Sequence, residues 1–207
     1  MGLVTGRAGG GPGGRELRSP LVAQLVCLEK QARTCKLCAL SATRTNVVFG
    51  TGDPEADLMF VGEGPGHDED IAGEPFVGRS GKLLDMLVSQ EMGLDRTRFY
   101  IANVVKCRPP GNRDPRPEEV ESCRPYLQRQ IELIDPVVVV TLGNFALHAV
   151  LETPDGINKA RGRAYPLGPR VVVPTYHPAF ALRGGGDVVA AMRADLIRAK
   201  RALRGDL

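Results

Sequence analysis

The most informative segment of this sequence is Asp57-Leu58-Met59-Phe60-Val61-Gly62-Glu63-Gly64-Pro65-Gly66. Its first half is a short apolar run of strand length. Its second half alternates glycine with Glu63 and Pro65, which the interior of a helix or a sheet does not tolerate. The segment therefore predicts a strand over residues 57–62 that ends in a tight loop. Because the apolar run is continuous, both faces of this strand are expected to be covered.

Three further apolar runs have the same character, and helical patterns separate them. These runs are Phe99 to Val105, Val137 to Leu142 and Val171 to Pro174. Helices are predicted over residues 20–33, 78–93, 144–151 and 187–204, with one more starting at residue 117. The alternation predicts an α/β fold, a three-layer αβα architecture around a central four-stranded parallel sheet. Glu63, Asn103 and His177 lie at the carboxyl ends of three of the strands, where open α/β sheets bind ligands.

The composition indicates one globular domain. The chain has 207 residues, of which 43% are hydrophobic and 25% charged, and this excludes a disordered polymer. No run reaches the roughly 20 apolar residues of a membrane-spanning helix, so no membrane association is expected. Residues 1–18 are rich in glycine and predict a flexible tail ahead of a single domain over residues 19–207. They lack the apolar core of a signal peptide, so a cytoplasmic location is expected.

The charged residues leave the partner open. The net charge of +3 does not by itself indicate a polyanion. Of the 27 basic residues 21 are arginine, the side chain best suited to bidentate contact with phosphate. A genome of high GC content would produce the same bias, and the two explanations are about equally good.

Four of the five cysteines form two pairs. Cys35 and Cys38 form a Cys-x-x-Cys motif, and Cys107 and Cys123 flank fifteen residues that are rich in proline. In a chain expected to be intracellular, clustered cysteines indicate metal binding rather than disulfides. Four thiolates can close a zinc site or hold an iron–sulfur cluster, and the cluster is favoured because structural zinc more often uses two Cys-x-x-Cys motifs. Cys27, on the apolar face of the first helix, is expected in the core.

Three loop motifs place chemically useful side chains beside the predicted sheet. Glu63, in the glycine-rich loop, can orient water near a developing cation, although the loop alone could be only a strand-to-helix turn. Phe76, held between Pro75 and Gly78, can stack on a nucleobase or simply anchor its loop to the core. As a neutral imidazole, His177 can donate a hydrogen bond to an oxyanion.

In this combination and order, the motifs closely resemble those of the family 4, iron–sulfur uracil-DNA glycosylases. The resemblance extends from about Leu21 to Leu203. It is carried by the four paired cysteines, Gly62-Glu63-Gly64-Pro65-Gly66, Pro75-Phe76-Val77-Gly78, Asn103, Lys106-Cys107-Arg108-Pro109-Pro110 and His177-Pro178-Ala179. It implies a fold of the uracil-DNA glycosylase superfamily. It also implies a monofunctional repair enzyme that releases uracil from DNA, leaves an abasic site and has no lyase step.

The resemblance also implies catalytic and substrate-binding residues. The deoxyuridine would be flipped out of the base stack and its N-glycosidic bond broken without a covalent nucleophile. His177 would donate to uracil O2, Glu63 would orient the water, and Asn103 would read the edge of the base. Phe76 would stack on uracil and Glu69 would crowd the methyl group of thymine. The uracil site would be completed by Gly62, Gly64, Pro65 and Gly66.

By the same resemblance, Leu182 would be the wedge inserted into DNA and Arg183 a phosphate contact, with Arg108 and Arg113 on the DNA-binding surface. A structural [4Fe-4S] cluster would be held by Cys35, Cys38, Cys107 and Cys123, with zinc as the alternative. The partner would be uracil-containing DNA, single- or double-stranded, and a monomer is the simplest expectation.

Other functions stay open at this point. One is an iron–sulfur nucleic-acid-binding module of the same fold without turnover, and another is a glycosylase for a different deaminated base. Glu63, Asn103 and His177 argue against a pure binding module, which would not need all three at the mouth of a pocket. A metal-dependent hydrolase would need an open position on its metal, and four thiolates leave none.

Overall fold

The computed structural model describes residues 20–207, and the predicted tail over residues 1–18 lies outside the described residues. The sheet within residues 20–207 consists of β1 (Thr51–Gly52), β2 (Leu58–Gly62), β3 (Tyr100–Asn103), β4 (Val138–Leu142), β5 (Tyr165–Leu167) and β6 (Arg170–Thr175). The α-helices of the same range are α1 (Pro20–Arg33), α2 (His67–Ala72), α3 (Arg79–Met92), α4 (Pro117–Ile134), α5 (Asn144–Leu151), α6 (Ile157–Ala160), α7 (Pro178–Gly184) and α8 (Gly186–Leu203).

The centre of the sheet has the predicted parallel arrangement. Strands β3, β2, β4 and β6 lie side by side in that order and all run parallel. The edges differ from the prediction, because β1 pairs antiparallel with β3 and β5 pairs antiparallel with β6. Over residues 20–207 the four central strands are therefore parallel, as predicted, and the two antiparallel edge strands extend the sheet to six strands. The edge strands have two and three residues and include Gly52 and Pro166, so they carry no apolar run that could signal a strand.

The core lies in two layers, one on each face of the sheet, as the three-layer prediction requires. Side chains of β2 alternate between them, with Met59 and Val61 in one layer and Leu58 and Phe60 in the other. The first layer is covered by α1, α4 and α5, and the second by α3, α7 and α8. Both faces of the central strands are thus buried, which explains their continuous apolar runs.

One prediction about the core is wrong. Cys27 is exposed rather than buried. Helix α1 packs through Val22, Leu25 and Ala32, and at 100° per residue Cys27 lies on nearly the opposite side from Leu25. Among the helices of residues 20–207, none combines the length and apolar character needed to cross a membrane.

Candidate active site and cysteine cavity

A cavity of about 440 Å³ opens beside Asn103, the last residue of β3, and the loops that follow β2 and β6. We call it the strand-end cavity, and its volume is in the range of small-molecule sites. It brings together Glu63, Asn103 and His177, which are far apart in the sequence. The other lining residues are Gly64, Pro65, Gly66, Glu69, Phe76, Ser80, Pro109, Asn112, Arg113, Asp114, Ala179, Phe180 and Arg183.

Asn103 places an unpaired acceptor on the wall of this cavity. The residue is 1% exposed, and its side-chain Oδ1 is buried with no hydrogen-bond partner among the described residues. Its backbone carbonyl, in contrast, accepts a hydrogen bond from Lys106 Nζ at 2.7 Å. Because buried polar atoms are rarely left unpaired, the free Oδ1 indicates a ligand that donates a hydrogen bond.

Gly62 lies next to the cavity, and its lack of a side chain leaves space for two residues that line it, Asn103 and Phe76. A Cβ at this position would be 2.4 Å from Asn103 Oδ1 and 2.5 Å from Phe76 Cζ. Both distances are far shorter than any real contact of a Cβ atom. Although Gly62 does not line the cavity, the absence of a side chain here lets Asn103 and Phe76 occupy it.

His177 has a defined protonation state. It caps the N-terminus of α7, where its Nδ1 accepts the backbone N–H of Ala179 at 3.1 Å. Because an accepting Nδ1 carries no proton, the hydrogen of the neutral ring lies on Nε2. Burial, and then the positive charge of Arg183, lower the pKa of His177 to about 4. At neutral pH the ring is therefore uncharged, with Nε2–H as a donor.

Glu63 has the opposite perturbation. Burial, and then the negative charge of Asp114, raise the pKa of Glu63 to about 7. Asp114 lies in the loop between Cys107 and Cys123 and lines the same cavity. An acid whose pKa lies near neutral pH, in the same cavity as a neutral imidazole, is typical of a site that performs chemistry.

Glu69 uses its carboxylate to connect two loops. Oε2 accepts the backbone N–H of Gly66 at 3.2 Å, and Oε1 accepts those of Val77 at 3.1 Å and Gly78 at 2.9 Å. The glycine-rich loop after β2 is thereby joined to the loop that carries Phe76. Glu69 still lines the cavity, and its action against the methyl group of thymine stays a prediction.

Phe76 is held in an unusual backbone conformation. Its φ angle is +57°, which is strained for a bulky residue and must be held by the surrounding structure. Arg96 supplies one such contact, since its guanidinium donates to the carbonyl of Pro75 and pairs with Asp85 at 2.8 Å. The ring of Phe76 lies 5.7 Å from that of His177, measured between centroids. The strain therefore serves to place an aromatic face in the cavity.

The predicted DNA-binding arginines divide into two kinds. Arg113 forms a bidentate ion pair with the buried Glu119, at 2.7 and 2.9 Å. Arg108 does not line the cavity and donates to Asn112 Oδ1 at 2.7 Å. Both thus stabilise the loop between Cys107 and Cys123. Arg183, in contrast, is exposed on α7. Like Arg113, it lines the strand-end cavity.

Helix α7 exposes two large apolar side chains. Leu182, the predicted wedge, is 44% exposed, and Phe180 is 45% exposed. Of these two, Phe180 lines the strand-end cavity and Leu182 does not. The ring of Phe180 also packs 5.3 Å from that of Tyr176, so it has a defined position beside the opening.

The four paired cysteines line a second, smaller cavity, which we call the cysteine cavity. Cys35 and Cys38 follow α1, Cys107 follows β3, and Cys123 lies on α4. Arg44 also lines this cavity. Its guanidinium donates to Cys107 Sγ at 3.3 Å and to the carbonyl of Cys35 at 2.8 Å. The backbone N–H of Lys106 donates to Cys123 Sγ, also at 3.3 Å.

The charge of the thiols in the cysteine cavity depends on these neighbours. Burial raises the pKa of Cys107 and raises that of Cys123 to about 11, while Arg44 and Lys106 respectively lower them. Donors of this kind favour thiolates and tune sulfur-ligated clusters. In the part of the chain that the structure describes, no group of three or more His, Cys, Asp or Glu side chains is arranged to hold a metal ion.

The comparisons with known proteins show the family of this chain. A model of the Uracil DNA glycosylase superfamily matches residues 49–200. The chain is 46% identical over 163 residues to a type-4 uracil-DNA glycosylase of Sulfurisphaera tokodaii, covering 75% of this chain and 74% of the relative. It is 49% identical to one of Archaeoglobus fulgidus, with 74% and 80% covered, and 43% identical to one of Thermotoga maritima, with 86% and 93% covered. The chain belongs to the type-4 uracil-DNA glycosylases.

The strand-end cavity of this type-4 glycosylase also holds residues that sequence reasoning did not select as site residues. They are Ser80, Pro109, Asn112, Asp114, Ala179 and Phe180. Asp114 is one of many exposed acids in the sequence, and its effect on Glu63 depends on how the loop between Cys107 and Cys123 folds back over the cavity. For Phe180 a signal was present, since it stands three residues after His177.

Proposed function

We propose that the strand-end cavity holds a uracil flipped out of DNA and that the N-glycosidic bond of its deoxyuridine is hydrolysed there. The chain is a uracil-DNA glycosylase of DNA repair, a hydrolase acting on N-glycosyl bonds. The observation that carries the proposed site is the unpaired Oδ1 of Asn103 in the cavity that also contains Glu63 and His177.

Asn103 accounts for the choice of base. Its Oδ1 would accept the N3–H of uracil and its amide N–H would donate to uracil O4. Cytosine presents an amino group and an unprotonated N3 at these positions, so the same carboxamide would face two unmatched contacts. Each would cost about 1–3 kcal/mol.

His177 and Glu63 would stabilise the two charges that separate as the bond breaks. A dissociative cleavage produces a uracil anion and an oxocarbenium ion at the sugar. The neutral His177 would donate its Nε2–H to uracil O2 as negative charge develops there. The ionised Glu63 would orient the attacking water and stabilise the cation. Phe76 would stack on the uracil ring, and Glu69 would exclude thymine.

We propose a [4Fe-4S] cluster for the cysteine cavity. Four thiols from three segments surround one cavity, and two of them already receive N–H donors, which fits a sulfur-ligated cluster. Cys35, Cys38, Cys107 and Cys123 would hold it, and it would supply a covalent connection between α1, α4 and the loop before α4. Hydrolysis changes no oxidation state, so the reaction itself needs no electron transfer. Metal analysis with the visible absorption spectrum separates this cluster from zinc.

We propose that DNA binds across the opening of the strand-end cavity, with Arg183 on a phosphate and Arg108 and Arg113 shaping the adjacent loop. Two residues of α7 are candidates for the wedge, and the position of Phe180 at the cavity favours it over Leu182. Excision from duplex DNA by F180A and L182A tests this. F180A should lose more activity on duplex than on single-stranded DNA, and an equal loss on both would contradict a wedge.

The proposed partner is uracil-containing DNA, single- or double-stranded, bound by a monomer in the cytoplasm. One strand-end cavity contains every proposed catalytic residue, so a single chain is sufficient for the reaction. Thiols kept free for a cluster suit a reducing compartment. Sedimentation of the protein with and without DNA checks the monomer.

The decisive experiment is uracil release from a single-stranded oligonucleotide with one deoxyuridine, followed by alkaline cleavage of the product. Strand cleavage only after alkali, with thymine and cytosine oligonucleotides left intact, is expected for a monofunctional glycosylase. N103A should release uracil much more slowly than the wild type while still binding DNA. An intact uracil strand after incubation with cluster-loaded protein would favour a binding module or a glycosylase for another deaminated base.

A further inference from the structure

A buried lysine lies between the two cavities. Lys106 is 2% exposed and is among the largest fully buried side chains of the core. Its Nζ donates to the backbone carbonyl of Asn103 at 2.7 Å and to Gln130 Oε1 at 2.5 Å. Burying an ammonium group is costly unless its hydrogen bonds and charge are matched, so a lysine in this position requires an explanation.

The main chain of Lys106 is tied to the cysteine cavity. Its backbone N–H donates to Cys123 Sγ at 3.3 Å, and the next residue is Cys107. Its carbonyl accepts the N–H of Val48 at 2.8 Å. The ion pairs of the described residues include none between Lys106 and a carboxylate. Lys106 itself lines the cysteine cavity, together with Cys107 and Cys123.

The side chain of Lys106 contacts the backbone of Asn103, which orients the Asn103 carboxamide. Asn103 is the last residue of β3, and its side-chain Oδ1 has no partner of its own among the described residues. The carboxamide is therefore oriented by its backbone and by close packing against Gly62. A charge-assisted hydrogen bond to the Asn103 carbonyl holds that backbone where the strand ends.

We propose that Lys106 is a positioning residue, which connects the cysteine cavity to base recognition by holding the main chain of Asn103. This inference rests on the proposed function, because it assigns to Asn103 the reading of uracil. Lys106 does not line the strand-end cavity, so its contribution is transmitted through Asn103. The cysteine cavity, in turn, supplies the Cys123 sulfur that accepts the backbone N–H of Lys106.

A double-mutant cycle tests the proposal. Uracil release is measured for the wild type, K106M, N103A and the double variant, with metal content and unfolding temperature measured for each. Loss of one hydrogen bond from a charged donor is expected to slow K106M by about 10- to 100-fold relative to the wild type. In the N103A background K106M should have little further effect, because the carboxamide that Lys106 positions is already absent.

The matched control is K200M, since Lys200 Nζ also donates to a backbone carbonyl, that of Glu91 at 3.0 Å, on a helix away from both cavities. K200M should release uracil at the wild-type rate. An equal loss from K106M in both backgrounds, or an equal loss from K200M, would overturn the proposal and leave Lys106 a purely structural residue. If K106M does not fold, Q130M removes the second acceptor of Nζ and should slow release by about 2- to 10-fold, again less in N103A.

A crystal structure of K106M separates this proposal from the proposed function. A displaced Asn103 carboxamide is expected, and an Asn103 in its wild-type position would overturn the inference. If the wild type itself releases no uracil, the proposed function fails. The position of Asn103 in K106M still decides whether Lys106 holds it.

Discussion

The strand-end cavity and the cysteine cavity differ in how their polar groups are satisfied. In the strand-end cavity Asn103 Oδ1 has no hydrogen-bond partner within residues 20–207, and burial raises the pKa of Glu63 and lowers that of His177. In the cysteine cavity the sulfurs of Cys107 and Cys123 already receive hydrogen bonds. Unpaired and perturbed groups suit a transient ligand, whereas satisfied groups suit a permanent one. Substitutions should therefore alter activity in the first cavity and stability in the second.

The largest expected effect is that of C123S. Cys123 lies on α4 and lines the cysteine cavity, and its loss should remove the proposed cluster and lower the free energy of unfolding. The loss of a covalent cross-link, about 2–5 kcal/mol for a disulfide, sets the scale. Metal analysis and denaturant unfolding measure both effects. The control is C27S, since Cys27 is exposed and outside the cavity. Equal stability of the two variants would remove the structural assignment of the cysteine cavity.

H177A should have a large effect on activity and a small one on stability. Removing a donor to a developing anion lowers the rate by about 10²- to 10³-fold. The lost hydrogen bond to the Ala179 N–H should cost only about 1 kcal/mol of stability. Single-turnover uracil release and thermal unfolding give the two values. H148A, an exposed histidine on α5, is the control, and an H177A protein as active as H148A would exclude the donor role.

G62A tests whether packing beneath the cavity matters for activity. The new Cβ would be placed 2.4 Å from Asn103 Oδ1, so the carboxamide must move. A displacement of this kind is expected to slow uracil release by about 10- to 100-fold. G186A is the control, because a Cβ at Gly186 would meet nothing within 4 Å. Wild-type release by G62A would show that Asn103 needs no fixed position.

The smallest expected effect is that of D114N on the pH dependence of uracil release. If ionised Glu63 is required, the wild-type rate should rise with pH through about 7, the raised pKa of Glu63. His177, with a pKa of about 4, stays neutral over this range. Removing the negative charge of Asp114 lowers the pKa of Glu63, so the rise should move to lower pH. The pKa of Glu63 should return only part of the way to its ordinary value, because burial raises it more than Asp114 does.

Two controls complete the pH measurement. E118Q removes an exposed acid near Asp114 in sequence, and its profile should match that of the wild type. E63Q should lose both most of its activity and the rise near neutral pH. A D114N profile that does not move, together with an E63Q profile that keeps the rise, would assign the titration to a group other than Glu63.

Several parts of the fold and the site could be predicted from the sequence. The continuous apolar runs predict β2, β3, β4 and β6, because strands buried on both faces exclude polar residues. Helix α1 begins and ends where its periodicity indicates, at Pro20 and Arg33. The sequence also predicts two separate groups of functional side chains. The spacing of the cysteines indicates one group. The polar residues at the carboxyl ends of three strands indicate the other, because parallel strands end at the same edge of a sheet.

Other features were decided only by the tertiary structure. The edge strands β1 and β5 pair with β3 and β6. Their own residues carry no apolar pattern that predicts this pairing. The exposure of Cys27, the effect of Asp114 on Glu63 and the position of Phe180 all depend on which segments meet in space. Local chemistry determines which side chains a strand or loop presents. Burial, pKa and contact are properties of the whole fold, so the hydrogen bonds that join Lys106 to Cys123 and to Asn103 could be found only there.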